Sequence, residues 1–101
     1  MGPVNLAFKD KQLDRLETDA GFDGGYSPSI VRAFRTRVQY IREARDERDF
    51  YSYKAWRYEK LKGDRAGQHS MRLNDQWRII LEIEEQGSEK LVVVVGIEDY
   101  H

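Results

Sequence analysis

Apolar residues recur every three or four positions from Ile30 to Ile41, and every second position in the strands read from Arg57 onward. The first spacing is that of an amphipathic helix and the second that of half-buried strands. Helical and strand segments are therefore segregated along the chain, so the helices collect on one side of an antiparallel sheet, an α+β arrangement. At 101 residues the chain has the length of one domain around a single core, spanning residues 1–101.

Within that frame, Val4, Leu6 and Phe8 alternate with Asn5, Ala7 and Lys9, which predicts a short first strand. Asp10 is placed to cap a short helix carrying Leu13 and Leu16 and ending near Gly21. Asp23-Gly24-Gly25 breaks the chain, and Ser27-Pro28 then reads as an N-cap followed by proline in the first helical position, where its missing N–H costs nothing. The helix that follows, roughly 17 residues long, lays Ile30, Val31, Phe34, Val38 and Ile41 on the core and leaves Arg32, Arg35, Arg37 and Arg42 to solvent. Asp46 to Lys54 is charged and aromatic, either a loop or a fraying helical end. Four strands are predicted beyond it: Arg57–Leu61, Gln68–Leu73, Gln76–Glu84 and Lys90–Ile97. Asn74-Asp75 is expected to form a two-residue hairpin turn, and Gln86-Gly87-Ser88 supplies the next. Leu91 to Val95 does not alternate, so the last strand is expected to lie inside the sheet, covered on both faces.

Composition removes several classes of function. No apolar run approaches the ~20 residues that span a bilayer, and the opening segment MGPVNLAFKD lacks the basic stretch and apolar region of a secretory signal. There is no cysteine, hence no disulfide framework and no thiolate zinc site. A cytoplasmic protein is the expectation. The formal net charge of −1 argues against a general nucleic-acid binder, but it conceals segregation. Residues 54–78 hold seven Lys and Arg against three carboxylates, whereas residues 82–101 hold six carboxylates against Lys90 alone. A basic band beside an acidic one can bind phosphates locally while repelling indiscriminate contact with a polyanion.

The basic band carries the chemistry. The run from Leu61 to Arg78 sets Lys62, Arg65, His69, Arg72 and Arg78 among turn-prone sites, and the chain closes on Glu98-Asp99-Tyr100-His101. Alternation places Arg72 and Arg78 on the sheet face opposite Met71, Leu73, Trp77 and Ile79, so two guanidiniums are expected to emerge together, suited to bidentate phosphate contact. His69 alternates onto the apolar face and is expected to be partly buried rather than catalytic, and Trp77 to be core. Trp56, Tyr51 and Tyr53 are read as packing residues, although their rings could also stack on bases. Cleaving RNA without a metal uses the substrate's own 2′-OH. It needs a proton acceptor near that hydroxyl, cations on the developing phosphorane and a donor to the leaving oxygen.

Leu61-Lys62-Gly63-Asp64-Arg65, Gly67, Ser70, Arg72, Asn74-Asp75-Gln76-Trp77-Arg78 and Glu98-Asp99-Tyr100-His101 closely resemble the HigB branch of the RelE/ParE toxin superfamily. The resemblance covers the last part of the chain densely, and the first half only in pattern. It implies an N-terminal strand and two helices packed on a curved antiparallel β-sheet. It also implies a toxin of a type II toxin–antitoxin pair that enters the ribosomal A site and cleaves mRNA. The implied partner is a HigA-like helix-turn-helix antitoxin that neutralises the toxin and represses their shared operon, so that DNA is met only through the antitoxin. By the same resemblance Lys62 contacts the scissile phosphate, Arg78 stabilises the phosphorane, and His101 is the general base, held by Asp99, with Tyr100 on the substrate. Arg65, Arg72 and Lys60 are the implied RNA-backbone contacts, and no metal or cofactor is implied. Some members carry a histidine three residues before the motif lysine, where this chain has Glu59. The competing expectation is a non-nucleolytic binding module, either a ParE-like gyrase inhibitor or a weakly active toxin that binds an antitoxin; the terminal Tyr100-His101 argues against the first.

Overall fold

The computed structural model describes residues 4–99; Tyr100 and His101 lie outside the described residues. Five strands form one sheet in the order β1-β5-β4-β3-β2, with two helices, α1 and α2, packed on one face. These are β1 (Asn5–Phe8), α1 (Lys11–Thr18), α2 (Pro28–Glu43), β2 (Glu59–Lys60), β3 (Gln68–Arg72), β4 (Trp77–Gln86) and β5 (Glu89–Asp99). The four later strands run antiparallel, as their short turns require, but β1 joins β5 in parallel, with Asn5 opposite Leu91 and Phe8 opposite Val94. The sheet is therefore mixed. Two helices separate β1 from the rest, which gives the chain the length to return in the same direction.

Local chemistry accounts for the helices. The Asp10 carboxylate accepts from the Leu13 amide at 3.0 Å, and Ser27 Oγ accepts from Ile30 at 3.4 Å with Pro28 following the cap. From α2, Ile30, Val31, Phe34, Val38 and Ile41 sink into a core shared with Met71, Leu73, Ile79, Leu81, Val92 and Val94. The α2 arginines were expected in solvent, and three of them instead tie elements together. Arg35 donates to the carbonyls of Leu16, Asp19 and Phe22, Arg37 to that of Arg72, and Arg42 pairs with Glu17 at 2.6 Å. The long stems of Arg35 and Arg37 reach carbonyls left over where neighbouring elements end, and that of Arg42 reaches a carboxylate on α1.

Other departures concern the connections. Asp46 to Lys54 folds as 3₁₀ turns, Glu47–Tyr51 and then Lys54–Trp56, the first capped by Asp46. The strand expected over Arg57–Leu61 shrinks to Glu59–Lys60, because Arg57 takes a left-handed conformation with φ of 46°. Asn74-Asp75 is not a two-residue turn: residues 73–76 form a wider loop in which Asn74 Oδ1 accepts from the Gln76 and Trp77 amides. The tight hairpin lies at Gly87-Ser88, where Gln86 pairs with Glu89 and Gly87 supplies the positive φ of 65°. β5 lies inside the sheet as expected, yet only Val92 and Val94 are fully covered; Val93 and Val95 are half-buried on the other face. Ile80 faces Gly96 while Leu81 faces Val94, which leaves Val95 as an extra residue and bends β5. Trp77 is half-buried at the core's edge, with its ring edge-on to Tyr26.

Candidate active site

On the sheet face away from the helices, Arg72 stands directly opposite Arg78 across β3 and β4, and Arg78 stands opposite Glu98 across β4 and β5. The two arginines share a face as alternation requires. They do not stand out from it equally. The Arg78 side chain is only 8% exposed, whereas that of Arg72 is 29% exposed. What covers Arg78 is the segment entering β2: its Nη2 donates to the Arg57 carbonyl at 2.8 Å and lies 3.7 Å from Glu59 Oε1. Pairing with Glu82, the ordinary expectation for a surface arginine at this spacing, is not what holds it; Glu82 instead accepts from Gln68 at 3.0 Å.

Arg57, Arg72, Arg78, Asn74 and Asp75 line one cleft of about 290 Å³. Arg72 spans its rim, donating to the Asn74 carbonyl at 3.0 Å and pairing with the exposed carboxylate of Asp75. Three guanidiniums around a cleft of this size can hold an anion, because each offers a planar fork of donors. A larger depression of about 620 Å³ borders Arg65 and Gln68, but Asp64, Glu82 and Glu84 also line it, and their charges repel a phosphate.

Lys62 precedes a 3₁₀ turn, Gly63–Arg65, and is exposed there; Lys60 is exposed on β2. The turn is tethered to the arginine face, since Arg65 grips Glu98 through two hydrogen bonds of 2.6 and 2.7 Å, and Glu98 is the residue opposite Arg78. That guanidinium holds the Glu98 carboxyl below its ordinary value. Arg65 is thus an anchor for the Lys62 turn. At the end of β5, Asp99 faces Trp77 and accepts from Gln76 at 3.0 Å, at the same end of the sheet as the 73–76 loop. Tyr100 and His101, expected to act with Asp99, lie outside the described residues.

His69 lies on the opposite face and takes no part in this cleft. It is buried beside Tyr58, whose hydroxyl donates to Glu47 at 3.0 Å and lies 3.0 Å from His69 Nδ1. Tyr53 and Trp56 are engaged with Tyr40, and Arg37 lies 4.3 Å over the Trp56 ring; Tyr51 packs on Tyr58. Arg57 was not among the residues singled out from the sequence, because nothing in a Trp-Arg-Tyr run marks a residue that will turn left-handed. Among the described residues no group of three or more His, Asp or Glu is placed to hold a metal ion.

An α+β domain of this topology is also the fold of two solved toxin structures. The structure is similar to a YoeB/ParE toxin from Agrobacterium tumefaciens (TM-score 0.59, 20% identity, 97% of this chain and 100% of that one). It is also similar to the YoeB dimer from Staphylococcus aureus (TM-score 0.55, 17% identity, 99% of each chain). No curated protein matches the sequence. The family model of the RelE-like toxin of the type II toxin–antitoxin system HigB matches residues 6–101, and the chain belongs to that HigB-like toxin family.

Proposed function

We propose that this toxin is a ribosome-dependent mRNA endonuclease that cleaves by attack of the substrate 2′-OH on its own phosphodiester, so stopping translation. The observation that carries the reading is the cleft where Arg72 and Arg78, paired across β3 and β4, meet in one anion site. A phosphorane gains negative charge as it forms, and donors already fixed in place stabilise it without reorganising. Arg78, buried and held by the Arg57 carbonyl, is suited to that role. Arg72 would hold the RNA backbone, and the exposed Lys62 would reach the scissile phosphate from its tethered turn; Lys60, expected to contact RNA, stands opposite His69 on the other face of the sheet and is left out of this cleft. Arg65 would act through that tether. His101 would take the 2′-OH proton, oriented by Asp99, with Tyr100 on the substrate; an imidazole with an ordinary value near 6.5 suits the task at neutral pH.

Membership of a toxin–antitoxin family brings an antitoxin partner. We take it to be a helix-turn-helix protein that neutralises the toxin and carries the complex to DNA, the toxin itself meeting only the ribosome and mRNA. A cytoplasmic location follows from a ribosomal target, and no helix among the described residues is long and apolar enough to cross a membrane.

The test is to induce the protein in translating cells and map mRNA 5′ ends. New ends should appear with the parent chain and vanish in Lys62→Ala, Arg78→Ala and a chain lacking His101. Growth arrest that persists unchanged in all three variants would overturn the proposal, and inhibition of purified gyrase in a supercoiling assay would then favour a ParE-like binding module.

A further inference from the structure

We infer that Arg57 is a third anion ligand of the Arg72–Arg78 cleft, one that binds a substrate phosphate directly. Among the described residues it is the single non-glycine with positive φ, at 46°. That conformation crowds Cβ against the backbone and persists in a side-chain-bearing residue only where the surroundings over-determine it. Here both neighbours do so. Trp56, before it, is packed against Tyr40 and Tyr53 and lies under the Arg37 guanidinium. Tyr58, after it, is buried, with its hydroxyl committed to Glu47 and His69 and its ring against Phe50 and Tyr51.

Two consequences follow from reversing the chain between these anchors. The Arg57 carbonyl is delivered to Arg78 Nη2 at 2.8 Å, and the Arg57 residue becomes part of the cleft wall facing Arg72 and Arg78. A glycine would adopt φ of 46° at no steric cost, yet the position carries a guanidinium. With Arg78 donating to the Arg57 carbonyl and Arg72 to Asp75 and Asn74, a third guanidinium supplies a further donor fork for a doubly charged phosphorane or an adjacent phosphodiester. This inference rests on the nuclease reading for the identity of the substrate, but not for the presence of an anion site.

The experiment measures binding and cleavage separately in the full chain. The probe is a short single-stranded RNA whose 2′-hydroxyls are methylated, so that it cannot be cut, titrated against the protein at several salt concentrations. Arg57→Gly keeps the carbonyl and suits the backbone, so it should unfold at or near the parent's temperature while binding the probe at least about tenfold more weakly. Its slope of log affinity against log salt should also fall by about 0.7, the value for one lost phosphate contact on a single strand. Arg57→Lys, which keeps the charge but not the fork, should fall between. Arg32→Ala removes an exposed cation from α2 and should bind as the parent does. Unchanged affinity and slope in Arg57→Gly would overturn the inference, as would failure of the parent to bind the probe at all. Parent binding without any cleavage in translating cells would instead defeat the nuclease proposal and leave the anion site standing.

Discussion

A single buried guanidinium carries the proposed chemistry. Arg78 is 8% exposed, spends one donor on the Arg57 carbonyl and has Glu59 within 3.7 Å. A charge kept this far from solvent acts at a lower effective dielectric than one on the surface, so it stabilises a developing anion more strongly. Arg78→Ala should therefore abolish mRNA cleavage and also destabilise the fold by about 1 kcal/mol, since a part-buried hydrogen bond to the Arg57 carbonyl is lost. Chemical denaturation alongside 5′-end mapping separates the two losses. Glu98→Gln probes the neighbouring anchor and should behave differently. The Arg65–Glu98 pair is half-exposed, so it contributes at most about 1 kcal/mol at neutral pH. Arg65 depresses the Glu98 carboxyl, so this contribution is present above the ordinary glutamate value and is lost as pH falls through the depressed one. Releasing the Lys62 turn should lower cleavage while leaving the unfolding midpoint near that of the parent. A large stability loss with unchanged cleavage would show that the tether serves only the fold.

Among the elements, the 3₁₀ turn Glu47–Tyr51 has the most conditional attachment. Glu47 accepts from Tyr58, lies 3.8 Å from His69 Nδ1 and 3.6 Å from Lys90, and Lys60 on β2 also faces the imidazole. Burial lowers the His69 value, Lys60 adds to that, and Glu47 opposes it. The unfolded chain therefore binds a proton more readily than the folded one. Stability from this group is present above the ordinary value near 6.5 and falls as pH drops through it. Equilibrium unfolding at pH 7.5 and 5.5 should show the parent weakened at the lower pH, and His69→Gln should flatten that part of the profile. The same turn holds Tyr58, and Tyr58 holds one side of the Arg57 reversal, so acid should loosen the cleft through its wall. In α2 the argument is simpler. Phe34 is fully buried beneath the sheet, and Phe34→Ala should cost about 3–5 kcal/mol, measured by the same unfolding curves.

Across the whole molecule, β1 closes a sheet edge that the sequence order would otherwise leave open. It is the first strand of the chain, yet it pairs with the last, and Lys9 donates to the Val94 carbonyl at 2.9 Å. Without it, β5 would present the unpaired groups of Leu91 to Val94, an apolar edge that templates association. A chain beginning at Asp10 should consequently aggregate or run as higher oligomers, which light scattering after size exclusion would detect. A monomer with the parent's stability would contradict this. The charge segregation works at the same scale: the arginine cleft and the Lys62 turn lie in a chain with formal net charge −1, so the field that would attract a polyanion is local rather than general.

The elements governed by local rules were legible in the residues themselves. Periodicity and capping located α1 and α2, alternation put Arg72 and Arg78 on one face, and the motif around Lys62, Arg78 and the C-terminus identified the toxin family. The wide 73–76 loop was missed because Asn74 uses its side chain instead of a positive φ. Tertiary structure alone decided the rest: the parallel pairing of β1 with β5, the roles of Arg35 and Arg37 as clamps, the burial of Arg78 and the left-handed turn at Arg57. Periodicity says which way a side chain faces, since that depends on a few neighbouring bonds. What lies across from it depends on segments distant in the chain, and no residue in Trp56-Arg57-Tyr58 encodes by itself the packing on either side that turns the backbone toward Arg78.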